Sequence, residues 1–102
     1  MLKPLKIVWD NVAKADLKII YEFLELKSNQ AAKNVINDII KQSKNIHFAE
    51  QYQVDEFLGE PFRRMIVRSY KIIYKVNSEN EIRILQIFDC RQNPIKVLNP
   101  KK

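Results

Sequence analysis

Three β-prone runs, Phe62–Arg68, Tyr70–Val76 and Ile82–Phe88, follow one another with almost no chain between them. All are rich in Ile, Val, Tyr and Phe, side chains that pack well on a pleated surface. Their connections are Ser69 alone and the stretch Asn77-Ser78-Glu79-Asn80-Glu81. A parallel pair needs a crossover of a dozen or more residues, so these runs are antiparallel neighbours. Gly59 is the one glycine in the chain. Hairpins that need positive φ must therefore draw on Asn, Asp or Ser, as at Asn77-Ser78-Glu79-Asn80.

The upstream half has a different period. Leu5–Trp9 alternates and predicts a short strand. Asp10 or Asn11 can cap a helix running to about Lys27, with Val12, Asp16, Ile19, Ile20, Phe23 and Leu24 at helical spacing. Ser28 and Asn29 restart the chain as a second helix to about Asn45. Its stripe is Ala32, Val35, Ile36, Ile39, Ile40 and Ser43. Residues 46–61 read as a surface loop. The expected fold is α+β in the order β-α-α-β-β-β, with the N-terminal strand and helical hairpin packed on one face of an antiparallel sheet. At 102 residues this is one domain, spanning 1–98, with a short basic tail at 99–102.

Alternation assigns the sheet faces. Ile72, Tyr74, Ile82, Ile84 and Phe88 are expected toward the core, with Gln86 breaking the pattern. Lys71, Lys75, Arg83 and Arg91 are expected on the uncovered face. Arg63 is placed there too, although the strand Phe62–Arg68 has no purely polar side.

Charge sharpens this picture. Residues 1–60 carry 8 Lys/Arg against 9 Asp/Glu, whereas residues 61–102 carry 10 against 3. Such a basic segment suits phosphates or an acidic protein segment, and it equally suits plain solubility. Apolar neighbours Ile73, Leu85 and Ile87 favour a face that is covered part of the time.

Several chemistries find no support in the sequence. A single cysteine, Cys90, allows no internal disulfide and fits a reducing compartment. No apolar run approaches the roughly 18 residues of a membrane span, and no charged-then-apolar leader is evident. The expectation is a cytoplasmic, soluble protein without membrane contact. There is no metal-ligand cluster, no glycine-rich phosphate loop and no catalytic triad, so neither metal nor cofactor is expected. The lone histidine, His47, falls in the loop, where a solvated role outweighs a catalytic one. Glu50, Asp55, Glu56 and Glu60 form an acidic loop that could offer a general base but reads more simply as exposed. Cys90 reads as a small buried residue, because no histidine partner is apparent.

The segment Phe62-Arg63-Arg64-Met65-Ile66-Val67-Arg68-Ser69-Tyr70-Lys71-Ile72-Ile73-Tyr74-Lys75-Val76 resembles the central hairpin of the RelE/ParE toxin superfamily. Ile87-Phe88-Asp89-Cys90-Arg91-Gln92-Asn93-Pro94 is similar to the close of many ParE-like members. Val8-Trp9-Asp10 with Ala13-Lys14-Ala15-Asp16-Leu17 is similar to their strand-to-helix entry. The three pieces are collinear and cover nearly the whole chain.

The resemblance implies the toxin of a type II toxin–antitoxin (plasmid stabilisation) pair, held in a hetero-oligomer by a cognate antitoxin encoded beside it. Two activities occur on this fold: RelE-like cleavage of mRNA on the ribosome, and ParE-like action on DNA gyrase without nuclease chemistry. For the first, Arg63, Lys71 and Arg91 match cationic positions that would stabilise a phosphorane. The C-terminal Tyr or His-Tyr of RNA-cleaving members is replaced here by Gln92-Asn93-Pro94-Ile95-Lys96-Val97. The ParE-like, non-enzymatic reading is therefore preferred. A RelE-like endoribonuclease and a non-toxic basic nucleic-acid-binding module are the alternatives. An acidic, amphipathic antitoxin segment is expected on the basic face of Arg63, Lys71, Lys75, Arg83 and Arg91. On that reading, reversing Lys71 and Arg83 to Glu weakens antitoxin binding.

Overall fold

The computed structural model describes residues 5–90. Its elements are β1 (Lys6–Trp9), α1 (Asn11–Glu25), α2 (Asn29–Ser43), a single 3₁₀ turn (Ala49–Gln51), β2 (Arg63–Val67), β3 (Tyr70–Ser78) and β4 (Glu81–Asp89). The four strands form one sheet in the order β1-β4-β3-β2. β2, β3 and β4 are an antiparallel meander, as their short connections require. β1 joins the free edge of β4 in parallel, since the long path through both helices permits a crossover.

Local chemistry explains the helix starts. The Asp10 carboxylate accepts from the amide of Val12 at 3.2 Å, and the Ser28 hydroxyl accepts from the amide of Ala31 at 3.1 Å. On α2 the stripe Ala32, Val35, Ile39 and Ser43 is buried as expected. On α1 the buried side is rotated from the expected one. Ala13, Leu17, Ile20 and Leu24 face the sheet, while Val12, Ile19 and Phe23 are exposed and Leu26 is 84% exposed.

The main core lies between the helical hairpin and one sheet face, around Ile39, Met65, Ile72, Tyr74, Ile82 and Ile84. Burying each such side chain is worth about 1.5–3 kcal/mol, so this layer supplies most of the drive to fold. Tyr74 is sealed inside it and donates its hydroxyl to the Ala49 carbonyl at 2.8 Å. Its ring meets Tyr52 edge-on with centroids 6.4 Å apart.

Phe88 departs from the expected face. Ile73 stands opposite Gln86 and Tyr74 opposite Ile84, which leaves Leu85 as an extra residue in β4. This bulge reverses the alternation beyond it. Ile87 therefore enters the main core, and Phe88 packs with Ile73 on the second face against Leu58, Phe62 and Leu85. The irregular position of Gln86 is the trace of that bulge in the sequence.

The loop of residues 46–61 also departs from expectation. Ile46 and Asp55 are buried within it. Val54 pairs with Arg63, and the Arg64 amide donates to the Gln53 carbonyl at 3.0 Å, extending the sheet beyond β2. A turn closes from Asp55 to Gly59, whose φ of 72° is a conformation that glycine adopts without strain. The loop is thus part of the packed structure: Ile46, Ala49 and Tyr52 pack with the main core, and the turn carrying Phe57 and Leu58 lies over the second sheet face.

Candidate functional site

The expected cationic face exists only in part. In β3, Lys71 and Lys75 project from the second sheet face, and Arg83 stands directly opposite Lys75 in β4. Arg63 does not join them. It pairs across β2–β3 with Tyr74 and so shares the core side of the sheet, where its guanidinium donates to the Tyr52 carbonyl at 2.8 Å. Met65 and Val67 fill the core on the same side, which fixes the phase of β2. Arg64, not Arg63, is the β2 arginine of the second face. Arg91, with the tail at 99–102, lies outside the described residues.

Lys71 is the centre of this face, and it is not free. It is only 5% exposed, and its ammonium donates to Asp55 Oδ1 at 2.9 Å. Glu56 lies 3.7 Å from the same nitrogen. The rings of Phe57 and Phe88 flank it with centroids 5.1 and 5.5 Å away, so aromatic faces complete the cage. Asp55 is fully buried, and its other oxygen accepts from the amides of Phe57 and Leu58 at 3.1 and 2.9 Å. Burial alone would raise the Asp55 pKa. The Lys71 hydrogen bond, the two amides and the ammonium charge outweigh burial and hold it below the ordinary 3.8. An acid in the loop was legible in the sequence, but its role as a buried counter-ion was not, because the partners are 16 positions apart.

The other cations are similarly engaged. Arg64 lies 2.8 Å from Glu56 and donates to Gln53 at 2.9 Å. Arg83 contacts Asp10 at 3.3 Å and Glu81 at 3.9 Å. Lys75 sits over the Phe62 ring at 6.0 Å. A shallow cavity of about 350 Å³ opens beside Lys71, between Glu56, Phe57, Arg64, Ile66 and Phe88. Cys90 borders it and is exposed, not buried as expected; partial desolvation still raises its thiol pKa, which disfavours the nucleophilic thiolate. His47 is exposed and donates its backbone amide to Gln51. Among the described residues no three His, Cys, Asp or Glu side chains gather as a metal site, and no helix is long and apolar enough to cross a membrane.

A larger groove, about 490 Å³, runs between α1 and the end of β4 that β1 does not cover. Ile19, Phe23 and Lys27 form its outer wall, and Ile20, Leu24 and Ile87 lie deeper. Asp16 accepts from the Ile87 amide at 2.9 Å and so satisfies a donor on the strand edge. Burial raises the Asp16 pKa, and that hydrogen bond offsets part of the rise.

A family-level sequence profile described as the ParE toxin of the type II toxin–antitoxin system, parDE, matches residues 7–94. The chain belongs to the ParE toxin family. Its fold is similar to a structure titled as the chromosomal ParDE TA system from P. aeruginosa, with a TM-score of 0.71 and 25% identity over 83% of this chain and 95% of that one. A conserved hypothetical protein from Helicobacter pylori, HP0894, shares the fold at a TM-score of 0.54 and 17% identity, over 83% and 93% of the two chains. A copper-bound mutant toxin from the same organism does so at 0.50 and 18%, with the same coverage. No curated protein sequence matches this ParE-family chain.

Proposed function

We propose that this ParE-family toxin arrests growth by binding its target, with DNA gyrase as that target, and that it does not cut RNA. The Lys71–Asp55 contact carries this reading. A cation that is to stabilise a phosphorane must reach the phosphate with its charge uncompensated. Lys71 is enclosed by two rings and neutralised by Asp55, with Glu56 beside it. Asp55 accepts three hydrogen bonds at a lowered pKa, which leaves it a poor general base.

The cognate antitoxin is the proposed partner in a hetero-oligomer, supported by the family and by the ParDE neighbour. The surface expected for it changes. The second sheet face is covered in part, by Leu58 and Phe62, and Lys71 on it is already paired with Asp55. The exposed row Val12, Ile19, Phe23 and Leu26 on α1 offers the larger unfilled apolar surface, and we assign the antitoxin to it. Lys71→Glu no longer serves as a test, because it would set a third carboxylate beside Asp55 and Glu56. Ile19→Asp with Phe23→Asp replaces it.

Purified toxin should inhibit DNA supercoiling by gyrase and leave mRNA intact on translating ribosomes. Cut mRNA with unaffected gyrase would replace this reading with the endoribonuclease one. The antitoxin should bind the wild-type toxin and bind the Ile19→Asp/Phe23→Asp variant at least tenfold more weakly. Unchanged affinity would place the interface elsewhere.

A further inference from the structure

Among the described residues the arginines and the lysines of the helical hairpin differ in their surroundings. All four arginines among the described residues lie in ion pairs: Arg63 with Glu60, Arg64 with Glu56, Arg68 with Asp38, and Arg83 with Asp10. Lys14, Lys18, Lys33, Lys41 and Lys44 on the helical hairpin are exposed and join none of these pairs.

Helical spacing organises these lysines. Lys14 and Lys18 share a stripe with Tyr21, which accepts from Asn29 Nδ2 at 3.3 Å and so marks the side of α1 nearest α2. Lys33, Lys41 and Lys44 form a stripe on the solvent side of α2, opposite the buried Ala32, Val35 and Ile39. Between and beside them stand Gln30, Asn34 and Asn37, all exposed hydrogen-bonding amides. Asp38, the one acid of α2, is turned away to Arg68 at 2.7 Å. Glu22 follows Lys18 by one turn on the same side of α1, and Glu25 at the end of α1 accepts from Asn29. The α2 stripe of this face carries cations and amides without a carboxylate.

We infer that the outer face of the helical hairpin binds the phosphate backbone of double-stranded DNA. A rigid array of uncompensated ammonium groups is complementary to regularly repeated phosphates, and binding releases the counter-ions that both hold. The aromatic on this face among the described residues, Tyr21, is half-buried and held by Asn29. It is poorly placed to stack an unpaired base, which disfavours a single strand. Lys33 and Lys44 are eleven positions apart, or roughly 16 Å along the helix. That spacing reaches both rims of a B-form major groove about 12 Å wide, whereas the A-form groove of duplex RNA is narrow and deep. The inference stands on the hairpin alone and does not depend on the growth-arrest reading.

The test is fluorescence anisotropy of a labelled 20-base-pair duplex of arbitrary sequence, titrated with the partner-free toxin from 50 to 200 mM salt. Five phosphate contacts predict a log–log salt slope of about −4.5, roughly a 500-fold loss of affinity over that range. Lys33→Gln/Lys41→Gln/Lys44→Gln should lower the slope to about −2, roughly a tenfold loss, with circular dichroism unchanged. Lys101→Gln/Lys102→Gln, which removes the tail cations, should keep the steep slope. Absence of binding at 50 mM salt would overturn the inference. So would a triple α2 variant that binds like wild type, or a tail variant that alone abolishes binding.

Discussion

Lys71 and Asp55 stand 16 residues apart in sequence and meet at 2.9 Å where solvent does not reach. Both charges have left water, and only their mutual contact and the neighbouring amides and rings compensate. Lys71→Met removes one partner and leaves the other as an unpaired buried charge. It should cost about 3–5 kcal/mol, read from urea unfolding at pH 7. A loss below about 1 kcal/mol would mean that the loop opens freely and the cage described above does not hold.

The same pair sets an acid response. The Asp55 pKa is lowered in the folded state, so on acidification the unfolded chain takes up its proton first. The contribution is fully present above about pH 5 and is lost as pH falls through 3.8 toward the native pKa. The urea midpoint of the wild type should therefore drop more between pH 6 and pH 3 than that of Lys71→Met. Parallel curves for the two proteins would remove Asp55 from the account.

Asp16 carries the opposite sign. Burial raises its native pKa, so its ionisation weakens the fold as pH rises past the ordinary carboxylate range. Asp16→Asn keeps an acceptor for the Ile87 amide without the charge and should be neutral to stabilising at pH 7. Asp16→Leu leaves that amide unsatisfied and should cost about 1–3 kcal/mol in thermal or urea unfolding. Equal behaviour of the two variants would show that the hydrogen bond contributes nothing.

The β2–β3 turn places Arg68 at φ 55°. A side chain there costs about 1–2 kcal/mol that glycine avoids. Arg68→Ala and Arg68→Gly both lose the contact with Asp38, so that contact cancels between them. Arg68→Gly should be the more stable of the two by about 1 kcal/mol, a difference visible in the melting temperature. The reverse order would mean that the turn relaxes out of its left-handed geometry.

Single deletions along β4 should discriminate sharply. Removing Leu85 joins Ile84 opposite Tyr74 to Gln86 opposite Ile73, a regular ladder in which every side chain keeps its face. Removing Arg83 shifts the phase between the β1 pairing and the bulge and turns apolar positions outward. Circular dichroism should show a cooperative thermal transition for the Leu85 deletion and none for the Arg83 deletion.

Much of this architecture was legible because the signals were local. Short connections dictated the meander, Asp10 and Ser28 announced the helix starts, and the α2 stripe named its own buried side. Three features resisted, each for a physical reason. The faces of β2 depend on register against β3, so Arg63 and Arg64 could not be told apart by composition. The rotation of α1 is set by what the sheet can cover, which leaves Ile19 and Phe23 outside despite perfect spacing. The counter-ion of Lys71 arrives from a loop whose polar sequence gives no hint that Asp55 is buried. The cationic face was inferred from one partner of each pair, and folding supplied the other.

The parallel seam between β1 and β4 has a consequence for how the sheet comes together. Lys6 meets Glu81 and Trp9 meets Ile84, each 75 positions away, whereas β2, β3 and β4 zip through two short turns. Closing so long a loop costs more chain entropy than closing either hairpin, so the meander is expected to precede the seam. The N-terminal strand is then the last ladder to close and the first to open. In native-state hydrogen exchange the backbone amides that bridge this seam should lose protection at lower denaturant than those between β3 and β4.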